Sequence, residues 1–113
     1  MIAASSSNTH RIRALNDQFR STFSGGRILM TPAVQELSEE AHAALLEAVR
    51  SFSNFSTDND PHHEHDFGSI ELESQTWFFK IDYYAPDMQH GSEDPADAEQ
   101  TARVMTIMRA DEY

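Results

Sequence analysis

The chain contains no cysteine. That absence excludes disulfides, thiolate metal sites and cysteine nucleophiles together. Positive charge is also scarce: eight Lys+Arg residues, with Lys80 the only lysine, stand against 19 Asp+Glu, giving a formal charge of −11. An excess of that sign repels phosphates, so a general grip on nucleic acid is not expected. No stretch approaches the roughly 20 consecutive apolar residues of a membrane span, and the first seven residues lack the basic start and apolar run of a signal peptide. A cytoplasmic location without membrane contact is therefore expected. Internal repeats are absent, and so is low complexity beyond the serines at positions 5–7. What is present, 39% hydrophobic and 10% aromatic residues over 113 positions, suits one folded domain.

The charge is uneven. Residues 1–35 carry Arg11, Arg13, Arg20 and Arg27 against Asp17, whereas residues 36–113 carry four basic and 18 acidic groups. The arginine-rich start allows a local contact with nucleic acid. The acidic remainder has two readings: solubility, which a net charge of this sign favours, or a basic partner.

Hydrophobic periodicity predicts the elements. After a disordered segment at residues 1–6, a single α+β domain is expected over 7–113. Ile12, Leu15, Phe19 and Phe23 recur at helical spacing over 7–23, and Ser24-Gly25-Gly26 ends that helix. Arg27-Ile28-Leu29-Met30-Thr31 reads as a strand stopped by Pro32. Ser38 caps a second helix with Glu39 and Glu40 in its first turn and Ala41, Leu45, Ala48, Val49 and Phe52 as its apolar stripe. A polar loop at 51–66 leads to two alternating strands, 67–73 and 76–84, around Ser74-Gln75. Asp94-Pro95 begins a short helical turn. Residues 101–109 fit both helical and strand spacing, and the strand is favoured. The order α-β-α-β-β-β gives two helices packed on a mostly antiparallel four-stranded sheet.

Chemistry concentrates in Asp58-Asn59-Asp60-Pro61-His62-His63-Glu64-His65-Asp66. Imidazole and carboxylate together suit zinc, manganese or non-haem iron. If Glu73 pairs with Thr76, Ile70 faces Phe79, and extending the first strand backwards puts His65 and His63 on the face that carries Asp82. His63, His65 and Asp82 would then converge on a divalent metal. Glu64 and His65 are also candidates for a general base and acid, although no nucleophile and no glycine-rich phosphate cradle stands near them. The same residues have a structural reading, with Asn-Asp-Pro as turn chemistry and Asp66 capping the strand entry. No cofactor-binding motif is present. Gly25-Gly26 lacks the remaining spacing of a phosphate loop, and Lys80 is expected to bridge to Glu71. Phe67, Phe78 and Tyr84 line the second face of the hairpin, which either a partner, a second copy, or Phe55 from the 51–66 loop must cover.

Several strings together resemble the domain-of-unknown-function 3768 family. They are Asn16-Asp17-Gln18-Phe19-Arg20, Gly25-Gly26-Arg27, Asn59-Asp60-Pro61 with Glu64-His65-Asp66-Phe67-Gly68, Lys80-Ile81-Asp82-Tyr83-Tyr84, Asp94-Pro95, and Arg103-Val104-Met105-Thr106-Ile107-Met108 with Glu112-Tyr113. The resemblance spans residues 9–113. It implies a small bacterial protein, alphaproteobacterial and often plasmid-borne. His62 and His63 occupy variable positions of that pattern, which leaves Glu64, His65, Asp66 and Asp82 as the metal or hydrolytic candidates. The leading expectation is a non-enzymatic acidic protein that binds another macromolecule in an accessory or anti-defence role. A divalent-metal-binding or metal-dependent hydrolytic protein is the alternative.

Overall fold

The computed structural model describes the backbone of residues 2–113 and the side chains of residues 8–113. The expected disorder at 1–6 lies outside the residues described in full. The elements follow in the order α1 (Ile2–Thr22), β1 (Arg27–Met30), α2 (Pro32–Gln35), α3 (Glu39–Arg50), β2 (Phe67–Leu72), β3 (Gln75–Tyr84) and β4 (Ala102–Arg109). Short 3-10 turns sit at Ala98–Gln100 and Ala110–Glu112.

The sheet has the order β1-β4-β3-β2. Its two hairpin-side pairings are antiparallel, and β1 runs parallel to β4 with Ile28 beside Met105. The strand at the ambiguous 101–109 segment is thus, with β3, one of the two inner strands of the sheet, hydrogen-bonded on both sides. That position explains why its inward and outward residues are both largely buried, which blurs the alternation.

Local chemistry sets the boundaries. Ser38 accepts a hydrogen bond from the Ala41 N–H at 3.1 Å, and Ala41, Leu45 and Val49 of α3 are buried. Pro32 ends β1 as expected, but it also opens α2, a turn the sequence reading omitted. Its fixed φ suits a first helical position, and the turn buries Ala33 and Val34. The Asp94-Pro95 turn forms where expected, with Asp94 accepting from the Asp97 N–H at its carbonyl (2.9 Å) and from the Ala96 N–H at Oδ1 (3.3 Å), and a 3-10 turn follows it, capped by Asp97, which accepts from the Glu99 N–H at 2.9 Å.

The hairpin corrects the expected pairing. Its turn is Glu73-Ser74, with φ of 56° and 61°, rather than Ser74-Gln75. Two residues at positive φ match the strand twist as a type I′ turn does. Ile70 therefore faces Trp77, not Phe79. A shift of two preserves the side-chain faces, so the inward set of Ile70, Trp77, Phe79 and Ile81 stands as expected. These residues meet Met105, Ile107, Phe19 of α1, Val34 of α2, and Leu45 and Val49 of α3.

The other sheet face carries Phe67, Phe78, Lys80 and Asp82. Phe67 and Phe78 contact each other with ring centres 5.0 Å apart. Tyr113 stands edge-on to both, at 6.4 and 5.8 Å. Glu112 fixes that chain end by accepting from Thr31 Oγ1 at 2.6 Å and from the Ala33 and Arg109 N–H groups at 3.0 and 2.8 Å. Tyr113, not Phe55, is the ring laid over this face. Phe55 packs on the opposite side, against Phe52 and Phe79.

Gly68 is where β2 passes closest to the core. A Cβ there would lie 2.3 Å from Phe79 Cε2 and 2.9 Å from Phe52 Cε2. Gly68→Ala should cost about 1–3 kcal/mol by overpacking. Urea unfolding would show the loss as a lower midpoint, with Ser69→Ala on the exposed side of the same strand as the near-neutral control.

Candidate functional site

The inner stripe of α1 is only half apolar. Ile12 and Phe19 are buried, but so are Asn16 at 0% and Arg20 at 6% exposure. Four-residue spacing puts Asn16 one turn after Ile12 and Arg20 one turn after Asn16. Two polar side chains therefore occupy core positions. The stripe expected from Leu15 is rotated towards them, and Leu15 is only half-buried.

Asn16 is fully engaged. Its Nδ2 donates to the Glu64 carbonyl at 3.0 Å and to Tyr83 Oη at 2.7 Å, while Oδ1 accepts from Arg103 Nε at 2.8 Å. The Tyr83 hydroxyl in turn donates a hydrogen bond to Glu64 Oε1 at 2.8 Å. Burial raises the Tyr83 pKa, and the bond to Glu64 adds to the rise, so the phenol stays protonated. Arg103 lies over the Tyr83 ring at 5.3 Å and donates through Nη2 to the Pro95 carbonyl. Its pKa is lowered by burial.

The 54–66 loop folds on itself before it meets α1. Asn59 accepts from the Ser56 N–H at 2.8 Å and donates to the Asn54 carbonyl at 3.0 Å. Asp60, 2% exposed, accepts at Oδ1 from the N–H groups of Glu64 and His65, at 3.0 and 3.1 Å. These bonds hold His63 and His65 at φ of 60° and 56°. Arg13 of α1 then donates to the His63 carbonyl at 3.1 Å.

His65 turns inward as a result. Its ring stacks on Phe55 with centres 3.7 Å apart, and Nδ1 lies 2.8 Å from Asp17 Oδ1. A carboxylate only accepts, so Nδ1 carries the proton of that bond. Nε2 lies 3.7 Å from Asp60 Oδ2. The Arg20 guanidinium is held by the same Asp17 oxygen at 2.9 Å and lies 5.2 Å from the Phe55 ring centre. Its Nε has no hydrogen-bond partner among the described residues.

The expected convergence does not occur. The strand that was to carry His65 onto the outer face begins only at Phe67, and the positive φ at His65 sends the ring to the helix side. Asp82 stays on the outer face, paired with Lys80 Nζ at 3.0 Å, so Lys80 bridges along its own strand rather than to Glu71. His63 is exposed, and Asp66 is half-buried at the strand entry. Among the described residues, no group of three or more His, Asp or Glu side chains is placed to hold a metal ion. Glu64 and His65, the acid–base candidates, are adjacent in sequence but engage different partners, Tyr83 and Asp17. Phe67, Phe78 and Tyr84 do share the outer face, with Tyr84 beside Ala102 of β4.

What forms instead is a polar junction between α1, the loop, β3 and β4 in a small α+β domain. The chain belongs to the family described as protein of unknown function (DUF3768), whose model matches residues 30–112. No curated protein and no solved structure matches it. Arg13, Asn16 and Asp17 lie before the matched region, yet they complete the hydrogen bonding of the loop string inside it. The signal of Asn16 and Arg20 in the sequence was a polar residue at each four-residue step of an apolar helix face.

Two outcomes follow for this junction. Tyr83→Phe leaves Asn16 and Glu64 with an unmet partner and should cost about 1–3 kcal/mol in urea unfolding. Asp66 has its pKa raised, first by burial and then by the charge of Glu64. A raised carboxyl pKa means the folded state binds the proton more tightly, so stability falls as pH rises from the unfolded value through the folded one. Asp66→Asn should therefore raise the melting temperature at pH 7 and flatten its decline between pH 4 and 7; an unchanged pH profile would contradict the shift.

Proposed function

We propose that this is a cytoplasmic, non-enzymatic acidic protein that acts by binding a basic macromolecule, as an accessory or anti-defence protein would. The observation that carries the reading is the disposition of charge. Eleven carboxylates are exposed: Glu36, Glu39, Glu40, Glu47, Asp58, Glu71, Glu73, Asp87, Glu93, Glu99 and Asp111. Of the basic side chains, only Arg11 and Arg27 are. Arg20 and Arg103 are buried, and Arg50, Lys80 and Arg109 are tied to Glu47, Asp82 and Asp111. The net charge of −11 is thus concentrated at the surface. Such a surface accelerates encounter with a basic partner and rejects polyanions.

The absence of any helix long and apolar enough to cross a membrane among the described residues is consistent with that setting. Hydrolysis is the weaker reading, since Glu64 and His65 are committed to Tyr83 and Asp17. Register also gathers part of the acid excess. The Glu73-Ser74 turn, the end of β4 and the α2–α3 corner all lie at one end of the sheet, because Trp77 pairs with Arg109 and Met30 with Ile107. Glu36, Glu39, Glu40, Glu71 and Glu73 share that end.

The test is affinity capture with the wild-type chain, with those five glutamates changed to glutamine, and with Asp87→Asn, Glu93→Gln and Glu99→Gln at the other end. A basic protein should be retained by the wild type at about 50 mM salt, released by about 300 mM, and lost from at least one variant. Capture that ignores both variants and the salt would overturn the reading.

A further inference from the structure

The outward face of the sheet differs from the rest of the surface in charge. Its strand positions hold Arg27 on β1, Lys80 and Asp82 on β3, and Glu71 on β2, so that positive and negative side chains balance. Lys80 and Asp82 are already paired at 3.0 Å. Arg27 and Glu71 are both exposed, and Glu71 is oriented by Thr76 Oγ1, which donates to its Oε2 at 2.6 Å. Of the exposed carboxylates, Glu71 alone occupies an outward strand position. The face is thus balanced in a chain whose net charge is −11.

It is also where apolar surface is left open. Leu29 at 54% and Tyr113 at 77% are the exposed large apolar side chains among the described residues, and both belong to this face. Leu29 lies beside Thr106, which lies beside Lys80, and Tyr113 stands edge-on to Phe67 and Phe78. Next to them is a cleft of about 270 Å³ lined by Thr31, Lys80, Thr106, Met108, Glu112 and Tyr113. Apolar groups flanking an open cleft leave water only when a second surface is laid on them.

Charge selects that surface. A strongly basic partner gains nothing from a balanced face, whereas two copies of this acidic chain repel each other wherever their carboxylate-rich regions approach and do not repel here. The two charges outside the Lys80–Asp82 pair are also self-complementary. Arg27 and Glu71 lie on the two edge strands and at opposite ends of the face: Arg27 shares a row with Val104 and Asp82, and Glu71 shares one with Thr76, further along β3 beyond Lys80 and Phe78. A two-fold axis in the plane of contact, passing between those corners, exchanges them. Each Arg27 then meets Glu71 of the partner subunit, and Met108, Phe78 and the cleft lie at the centre.

We propose that the outward sheet face is the interface of a homodimer, in which Leu29 and Tyr113 of each subunit cover the other's cleft and Arg27 pairs with Glu71 of the partner subunit. The proposal goes beyond the basic-partner reading and does not rest on it.

The experiment is sedimentation equilibrium of the full chain from about 5 to 500 μM, a range that reaches interfaces at the small end of the size scale. The wild type should fit a monomer–dimer equilibrium. Leu29→Glu, at an exposed position outside the core, should weaken the dimer by about tenfold or more. Should that variant fail to fold, Tyr113→Ser should give the same loss. Arg27→Glu and Glu71→Arg should each weaken the dimer, and the two together should return it to within about threefold of the wild type, since the pair is then only reversed. A monomer throughout the range, species larger than the dimer, a dimer indifferent to both Leu29→Glu and Tyr113→Ser, or single charge reversals that the double variant fails to rescue would each overturn the proposal.

Discussion

Everything around the junction depends on Asn16 being satisfied. A buried amide deprived of partners costs about 1–3 kcal/mol, so the helix can bury this one only if a carbonyl, a hydroxyl and a guanidinium arrive together. They come from three separate places: the Glu64 carbonyl from the loop, Tyr83 from β3 and Arg103 from β4. Each in turn needs the amide. Arg103 is buried and would otherwise lose its Nε acceptor, and Tyr83 would lose the donor that orients its hydroxyl towards Glu64. The requirement is mutual, which makes the position of α1 on the sheet specific in a way that apolar packing by Ile12 and Phe19 alone would not.

The same constraint explains the loop. Its backbone between Asp60 and Asp66 passes through left-handed conformations at His63 and His65, which non-glycine residues adopt only when their surroundings impose it. Asp60 supplies one half of that imposition from within the loop, and Arg13, Asn16 and Asp17 supply the other from α1. The acidic and imidazole groups that look like a ligand set in one dimension are therefore divided by the fold. Glu64 goes to the tyrosine, His65 to α1, and Asp82 to the far side of the sheet.

How much of this was legible depends on range. The cap at Ser38, the stripe of α3 and the inward face of the hairpin are local or period-two properties, and each was readable directly. The hairpin register was missed by two because neither Glu73 nor Ser74 advertises a positive φ, as Asn-Gly would, yet the faces survived since the error was even. The fate of His65 was not readable, because a single left-handed residue reverses the side on which every extrapolated position falls. Asn16 was visible as a polar intruder in an apolar stripe, but its partners lie 48, 67 and 87 residues away in sequence, and no periodicity reports those distances.

The division of charge follows from the same architecture. Burying Arg20 and Arg103 beneath the helix and loop removes two of eight positive charges from the surface, and the three ion pairs at Arg50, Lys80 and Arg109 blunt three more. Those pairs at the surface add little stability, so their larger consequence is electrostatic: they cancel local fields that would interrupt the acidic surface. The buried arginines act differently. Each is held by a ring and by an oxygen acceptor, Arg20 by Phe55 and Asp17 and Arg103 by Tyr83 and Asn16. Positive charge is thus used to cement the junction, and negative charge is left to face the solvent. A fold that spends its few cations internally is built so that the site's neighbourhood remains negative.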